Sequence, residues 1–414
     1  MEDTPANTSH RYFNRLWGAS GLSNLADGIG LTAAPLLAAS LTRDPLLVSG
    51  LTIAQRLPWF IFTLISGALV DRLDRRQVME TANAWRFILL GGLAIAVLTG
   101  WATLSMLYLI YFLLGTIETL FDNAALAILP AIVEQEQLEE SNGRLFATAT
   151  LANELIGPPL GSTLFALFRS TSFFSASVAY GLSSLLIHRI PGGYFSTVKQ
   201  HQSLYLEIRE GVRWFWQHRL LRALGFFAGT FNFVFGATMG VFVLFTQDVL
   251  GLSEAAYGFI LASGAIGGIL GSLTTKHLSD RFGSGQILLA DAILSGVAFI
   301  GIGLTSQPVI VGLMFALISM SNMFGNVIII SLRQEIIPDH LLGRVASTYR
   351  LVVLGALPLG ALFGGVVARA TDLATPFWIG GLLLILVSFA MRPSINNRTI
   401  RSAREKARHA ARSV

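Results

Sequence analysis

Twelve predominantly apolar stretches follow one another along the chain, separated by short polar segments. A helix of roughly 20 apolar residues crosses the ~30 Å hydrocarbon core of a bilayer. No run alternates apolar and polar residues with the period of two that a membrane β-barrel requires. We therefore predict an all-α membrane protein with twelve transmembrane helices. The predicted spans are 13–39, 46–70, 77–99, 104–128, 145–168, 172–190, 221–247, 255–275, 285–304, 308–330, 345–368 and 374–391.

The 29 Lys and Arg residues are unevenly distributed over the loops of this topology. The termini and every second loop carry 23 of them, the intervening loops carry three, and three lie within spans. Positively charged loops are retained in the cytoplasm. The pattern predicts a multi-pass protein of the plasma membrane, here a bacterial inner membrane, with both termini cytoplasmic.

The chain becomes polar between the sixth and seventh spans. Leu204, Ile208, Val212 and Phe215 recur there at helical spacing, which predicts an amphipathic helix on the membrane surface. We expect a six-helix bundle over 1–190, a cytoplasmic linker with this helix over 191–219, a second bundle over 220–391 and a basic cytoplasmic tail over 392–414. The protein is expected to be a monomer.

Landmark residues recur at a nearly constant separation. Gly21, Asn24 and Gly28 reappear 208 residues later, Asp71-Arg72 reappears 209 residues later, and Gly143-Arg144 reappears 200 residues later because one loop of the first half is longer. The chain is thus predicted to contain two parallel six-helix repeats. Repeats of this kind place a cavity near the bilayer midplane and work by alternating access.

Two motifs resemble those of the major facilitator superfamily. Residues 67–76, Gly-Ala-Leu-Val-Asp-Arg-Leu-Asp-Arg-Arg, are similar to its signature loop between helices two and three, with Asp74 where a glycine usually stands. Gly157-Pro158-Pro159-Leu-Gly161 keeps the centre of a motif associated with its antiporters.

Further segments over residues 11–391 are similar to the branch of macrolide, tetracycline and enterobactin exporters. The resemblance implies a major facilitator fold and a small-molecule substrate. Tyr111 stands where drug antiporters of the superfamily carry an Arg, so the proton-coupling role of that Arg is not carried over. The segments that carry this resemblance are Asn24-Leu-Ala-Asp27-Gly28, Gln55-Arg56-Leu-Pro58, Phe121-Asp122, Ser141-Asn142-Gly143-Arg144 and Leu342-Gly343-Arg344-Val345.

Charged residues inside spans are costly and usually face a cavity or a partner. Glu80 and Arg86 lie closer to a span boundary than the other charged residues of the first half. None of the four acids among the candidates recurs at the equivalent position of the second half, which favours chemistry on one side only. The alternative is that they form packing pairs with Arg56 or Arg86. The candidates for proton coupling or substrate binding are Asp27, Glu118, Asp122, Glu154, Asn24 and Arg56.

Glu118 and Asp122 are four residues apart and therefore share one helical face. Repulsion between neighbouring buried carboxylates favours uptake of a proton by one of them. Such an acid suits proton antiport.

Three further groups of residues have predicted structural roles in transport. The glycines and prolines of span five should bend it, and phenylalanines spaced by four in span seven form either a cavity wall or a lipid-facing stripe. The predicted cytoplasmic gate comprises Gly67, Asp71, Arg72, Arg75, Arg76, Asp280 and Arg281, the helix-bend motif Gly157, Pro158, Pro159 and Gly161, and the cavity wall Phe227, Phe231 and Phe235.

Composition narrows the function to transport. Hydrophobic residues make up 53% of the chain and the mean hydropathy is +0.62. Cys is absent and Gly never precedes Lys, so the chain has no thiolate metal site and no ATP-binding phosphate loop. The seven His show no metal-ligand spacing, which argues against an enzyme.

We predict no cofactor, no metal and no nucleic-acid partner. The leading hypothesis is a proton-coupled antiporter that exports small amphiphilic compounds, drugs or siderophore-like metabolites, with protons as coupling ion. A lipid or nutrient transporter on the same scaffold, or a non-transporting membrane sensor, remains an alternative.

Overall fold

The fold is helical throughout the residues that the computed structural model describes, 5–70, 72–195 and 204–412. The α-helices are α1 (Pro5–Leu41), α2 (Pro45–Val70), α3 (Arg75–Leu98), α4 (Leu104–Ile132), α5 (Leu138–Ala149), α6 (Gly157–Leu167), α7 (Arg169–His188), α8 (Leu204–Gln217), α9 (Arg219–Leu244), α10 (Glu254–Phe282), α11 (Ser284–Leu304), α12 (Pro308–Ile336), α13 (Asp339–Ala370), α14 (Thr375–Met391) and α15 (Asn397–Arg412).

Each predicted span corresponds to helical structure. Within the described part of the chain, 10 helices are long and apolar enough to cross a membrane, and α14 is a shorter apolar helix. The predicted span 145–168 is instead built from α5, a π-helix over Thr150–Ile156 and α6. The prediction of an all-α membrane protein is confirmed, with span five interrupted by this π-helix and span seven ending in a second π-helix over Phe245–Val249.

The interruption of span five follows from its prolines. Pro158 and Pro159 occupy the first turn of α6 and have no N–H to donate to the turn before them. An α-helical hydrogen-bond ladder therefore cannot run unbroken through this point, and the preceding seven residues adopt the wider π geometry.

The chain divides into two compact units. Unit 1 comprises Met1–Arg43, Ala54–Lys199 and Gly251–Ala262, and unit 2 comprises Asp44–Ile53, Gln200–Leu250 and Ser263–Val414. Two long helices, α2 and α10, begin in one unit and continue in the other.

Small residues allow the helices of unit 1 to approach closely. A Cβ atom on Gly157 would lie 2.6 Å from the Cα of Gly28, and one on Gly161 would lie 2.5 Å from the carbonyl oxygen of Ile29. The helices α1 and α6 therefore pack backbone against backbone, as small residues permit in membrane helices. In unit 1, α7 packs against both α1 and α3.

Unit 2 is organised around the pair α9 and α13. A Cβ on Gly236 would lie 2.2 Å from the carbonyl oxygen of Leu357, and one on Gly360 would lie 1.9 Å from that of Phe233. Helix α11 packs against α12 and α14. Glycines thus allow the same close helix approach in unit 2 as in unit 1.

The C-terminal helix α15 is attached to unit 2 by polar contacts. The side chain of Asn397 accepts hydrogen bonds from the N–H groups of Gly285, at 2.8 Å, and Gln286, at 3.4 Å, and donates one to the carbonyl of Phe282 at 2.9 Å. Asn397 therefore caps the start of α11 from a distant part of the sequence. Arg404 pairs with Glu335 of α12, and Ile400 is buried.

We expect Asn397→Ala to destabilise unit 2 by about 1 kcal/mol, the usual effect of losing a helix cap. The measurement is the thermal unfolding of the detergent-purified protein, together with protease cleavage before α15. Asn142→Ala is the matched control, because Asn142 is exposed and its side chain bonds only within its own helix turn, to the carbonyl of Leu138. Equal stability of the two variants would contradict the capping role.

Candidate functional site

A cavity of about 320 Å³ lies wholly within unit 1. Its lining combines apolar side chains with three carboxylates and two guanidinium groups. With all five ionised, the carboxylates outnumber the cations by one. The lining residues are Ala26, Asp27, Gly30 and Leu31 of α1, Gln55 and Arg56 of α2, Arg86 and Leu90 of α3, Tyr111, Leu114, Gly115 and Glu118 of α4, Asn153 and Glu154 of the π-helix, and Tyr180 of α7.

Arg86 is the most buried charged residue of this site, with 1% of its surface exposed. Its Nη1 lies 4.0 Å from Oδ2 of Asp27, and its guanidinium carbon lies 5.1 Å from the ring centroids of both Phe121 and Tyr180. The hydroxyl of Tyr180 donates a 2.5 Å hydrogen bond to Oδ1 of Asp27. The two aromatic faces and the carboxylate therefore partly compensate the buried charge of Arg86.

A network of side-chain hydrogen bonds holds Arg86 in place. Its Nη1 donates to the hydroxyl of Ser23 at 3.2 Å and to Oδ1 of Asn83 at 3.4 Å. Asn83 in turn donates to Ser183 at 2.8 Å, and Ser183 donates to the carbonyl of Ala19 at 2.7 Å. The guanidinium is thus fixed by side chains of α1, α3 and α7, because each buried polar group is hydrogen-bonded to the next.

The structure brings four of the six candidate residues to the cavity: Asp27, Glu118, Glu154 and Arg56. Asp122 lies outside the lining but within electrostatic range of Glu118 and Arg86. The amide of Asn24 donates to the carbonyl of Ser20 in its own helix at 2.8 Å and does not line this cavity.

The π-helix places two consecutive polar residues, Asn153 and Glu154, in the cavity wall. Consecutive residues of a regular α-helix point about 100° apart, and the extra residue of a π turn changes this register. A Cβ on Gly28 would lie 2.6 Å from the carbonyl oxygen of Asn153. The absence of a side chain at Gly28 is therefore what lets the π-helix approach α1.

Three buried polar atoms of the lining have no hydrogen-bond partner in the described part of the chain. They are Nη2 of Arg86, the hydroxyl of Tyr111 and Oδ1 of Asn153. Buried polar groups are almost always paired, so these three atoms are available to hydrogen-bond a polar molecule in the cavity.

Unit 2 contains a buried acid, Asp291, that has no place in the cavity lining. Asp291 is 2% exposed and accepts a hydrogen bond from Ser295 at 3.3 Å, while Ser295 and Ser321 bond each other at 2.7 Å. A Cβ on Gly325 would lie 2.5 Å from the carboxylate of Asp291. Asp291 is therefore packed between α11 and α12 and does not line the cavity of unit 1.

The predicted cytoplasmic gate is only partly within the described residues, because Asp71 lies outside them. Arg75 donates to the carbonyl of Ala127 at 2.9 Å, and Arg76 pairs with Glu80 at 3.0 Å. Asp280 and Arg72 are exposed. These contacts lie within single units, so the gate stays a prediction. Gly67 lies in α2, and Arg281 is exposed beside the ring of Phe282 at 5.4 Å.

Asp74 has a structural role that explains its departure from the signature motif. It is 5% exposed and caps α3, accepting from the N–H of Arg76 at 3.0 Å and of Gly193 at 2.8 Å. A glycine could not make either bond. The substitution thus ties the start of α3 to the segment after α7.

The phenylalanine stripe of α9 lies in the packing of unit 2. Phe227 is 4% and Phe231 is 8% exposed, and Phe231 stacks on Phe235 with a centroid distance of 6.1 Å. None of the three lines the cavity of unit 1. Their role as a cavity wall, like the bending role of Pro158, stays a prediction.

Sequence reasoning missed three important residues of the site. Arg86, expected near a span boundary, lies near the middle of α3, and Tyr111 and Tyr180 were not candidates. A signal for Arg86 existed, since Asn83 lies three residues earlier on the same helical face. Polar residues spaced by three along α7, at Ser177, Tyr180 and Ser183, mark the facing helix.

Comparison with known proteins agrees with this architecture. A family model described as transmembrane secretion effector matches residues 4–410. The chain belongs to that family. It is a major facilitator superfamily transporter and not an enzyme, and its expected resemblance to efflux proteins is confirmed by relatives of nearly equal length.

Three relatives are named as exporters. The chain is 23% identical to macrolide efflux protein A of Streptococcus pyogenes, covering 93% of this chain and 96% of that protein. It is 28% identical to the multidrug efflux pump Tap of Mycobacterium tuberculosis, covering 88% of each. It is 26% identical to the enterobactin exporter EntS of Salmonella paratyphi A, covering 80% of this chain and 81% of that protein.

Solved structures share the fold. The nucleoside transporter NupG superposes with a TM-score of 0.77 at 13% identity, over 92% of this chain and 98% of that one. A bacterial homologue of the iron transporter ferroportin, in an inward-facing state, superposes with a TM-score of 0.69 at 19% identity, over 92% and 99%. The twelve-helix major facilitator fold is therefore confirmed for this transporter.

We expect Gly28→Val to destabilise the transporter by about 1–3 kcal/mol, because the added side chain must push the carbonyl of Asn153 away. Gly92→Val is the matched control, since nothing lies within 4 Å of a Cβ at that position of α3. Thermal unfolding in detergent measures both. A Gly28→Val protein as stable as the control would show that the contact between α1 and the π-helix is dispensable.

Proposed function

We propose that this transporter is a proton-coupled antiporter that exports small amphiphilic compounds by alternating access. The observation that supports this most directly is the charge of the unit 1 cavity, where three carboxylates face two guanidinium groups. Either a proton or a cationic substrate supplies the missing positive charge. Exchange of one for the other across the membrane is antiport.

Asp27 and Glu118 are the proposed coupling acids. Asp27 is placed beside Arg86 and Tyr180, and Glu118 is within electrostatic range of Asp27, Arg86 and Arg56. Adding a proton to either acid weakens its attraction to the guanidinium groups, which changes how α1, α3 and α4 hold together. Asp122, which does not line the cavity, would influence the protonation of Glu118 through electrostatic repulsion.

Export is proposed from the names of the relatives, which include a macrolide efflux protein and a multidrug efflux pump. The proposal includes an inner-membrane location with both termini cytoplasmic, and a monomer divided at the linker 191–219. It also keeps the gate of Asp71, Arg72, Asp280 and Arg281, which would close the cytoplasmic side.

We expect Asp27→Asn and Glu118→Gln each to abolish pH-gradient-driven efflux while leaving the protein in the membrane. The measurement is efflux of a fluorescent amphiphilic cation from proteoliposomes with an imposed pH gradient. Because both acids are proposed to take part in proton exchange, removing either carboxylate should lower the flux to the level seen without a gradient.

Asp291→Asn provides the control, because Asp291 is an acid inside a span that is more buried than Asp27 and Glu118 and does not line the cavity. Its variant should keep gradient-driven flux. If Asp27→Asn and Glu118→Gln both keep wild-type flux, these acids have packing roles and the proposed coupling is refuted.

A further inference from the structure

Two side chains of the unit 1 cavity have unused hydrogen-bond donors. Arg86 and Tyr111 are 1% and 7% exposed, both line the cavity, and each has one polar atom without a partner in the described ranges. A guanidinium N–H and a phenol O–H both donate, so each suits an oxygen acceptor such as a carbonyl. The other terminal nitrogen of Arg86, Nη1, already donates to Ser23 and Asn83.

The two π-helix residues that line the cavity, Asn153 and Glu154, offer hydrogen-bond acceptors instead of donors. Oδ1 of Asn153 is a buried acceptor without a partner in the described part of the chain, and the carboxylate of Glu154 beside it also only accepts when ionised. Asp27 is less available, because Tyr180 donates to it and Arg86 lies beside it. Asn153 and Glu154 therefore suit a donor that carries positive charge.

We propose that the cavity recognises its substrate at two ends, binding a carbonyl-type oxygen through Arg86 and Tyr111 and a protonated amine through Asn153 and Glu154. This inference rests on the proposed export function and narrows its substrate class to amphiphilic amines that also carry an oxygen acceptor. A cation with no such oxygen leaves the donors of Arg86 and Tyr111 unpaired.

Shape and charge agree with such a ligand. The volume of about 320 Å³ is at the lower end of the ~300–1,000 Å³ typical of small-molecule sites. Leu31, Leu90 and Leu114 supply apolar parts of the cavity lining. One ammonium group balances the excess carboxylate of the lining. The substrate portion held here is therefore small, singly charged and partly apolar.

The test measures binding of three matched probes to the detergent-purified full-length protein by isothermal titration calorimetry at one pH. The probes are N-(diethylaminoethyl)benzamide, which has both the amine and the carbonyl, diethyl(phenylbutyl)amine, which lacks the carbonyl, and N-butylbenzamide, which lacks the charge. We expect the first probe to bind at least tenfold more tightly than either of the others, since it alone uses both ends of the site.

Two conservative variants test which residues bind the carbonyl oxygen and which bind the amine. Tyr111→Phe removes one hydroxyl and should weaken binding of the amide amine about tenfold while leaving the amine without a carbonyl unchanged. Asn153→Leu removes the acceptor and should weaken both charged probes about tenfold while leaving the neutral amide unchanged. Tyr349→Phe in α13 and Asn142→Leu in α5 are the controls, since neither residue lines the cavity, and they should bind all three probes like the wild type.

The outcomes separate this inference from the proposed function. Equal affinity for the three probes, or equal losses for all probes in Tyr111→Phe, overturns two-ended recognition even if wild-type protein still exports the fluorescent cation under a pH gradient. Probe-selective losses in both variants support it, including in a protein that shows no gradient-driven flux, in which case only the proposed antiport fails.

Discussion

The buried charge of Arg86 is the constraint on which unit 1 depends. A guanidinium group removed from water costs several kcal/mol unless its surroundings compensate it. Here Asp27, Tyr180, Phe121, Ser23 and Asn83 do so from four different helices. Helices α1, α3, α4 and α7 must therefore hold fixed positions around one side chain, and the cavity is the space that this arrangement leaves open.

The two halves of the chain carry different residues at equivalent buried positions. By the repeat separations of 208, 209 and 200 residues, Asp27, Arg86 and Tyr180 correspond to Phe235, Ser295 and Gly380. Phe235 stacks on Phe231, and Gly380 allows Val234 to approach within 2.6 Å of where its Cβ would lie. At the positions of Asp27 and Tyr180 the second half has apolar packing, and at the position of Arg86 it has Ser295, which hydrogen-bonds with Asp291 and Ser321. The shared scaffold thus comes from duplication, while the charged cavity is a property of the first half.

The interrupted fifth span connects the scaffold to the cavity. Its prolines enforce a break, the π-helix absorbs that break, and the changed register turns Asn153 and Glu154 toward the cavity wall. Gly28 and Gly157 make the close contact that holds this irregular segment against α1. Backbone irregularity at membrane depth is tolerated because it is packed within protein and lines a cavity.

The sequence by itself determined the class of protein, the twelve spans and the in-span acids, because apolar length and the cost of intramembrane charge are local properties of the chain. It even singled out Asp27, Glu118, Glu154 and Arg56, which do line one cavity. Only the tertiary structure decided that Arg86 is buried in the lining of that cavity, that Asn24 bonds within its own helix, and that Asp291 does not line it. The reason is physical: whether an intramembrane polar group faces a cavity, a partner or its own backbone depends on which helices surround it, and helix packing is set by contacts between residues far apart in sequence.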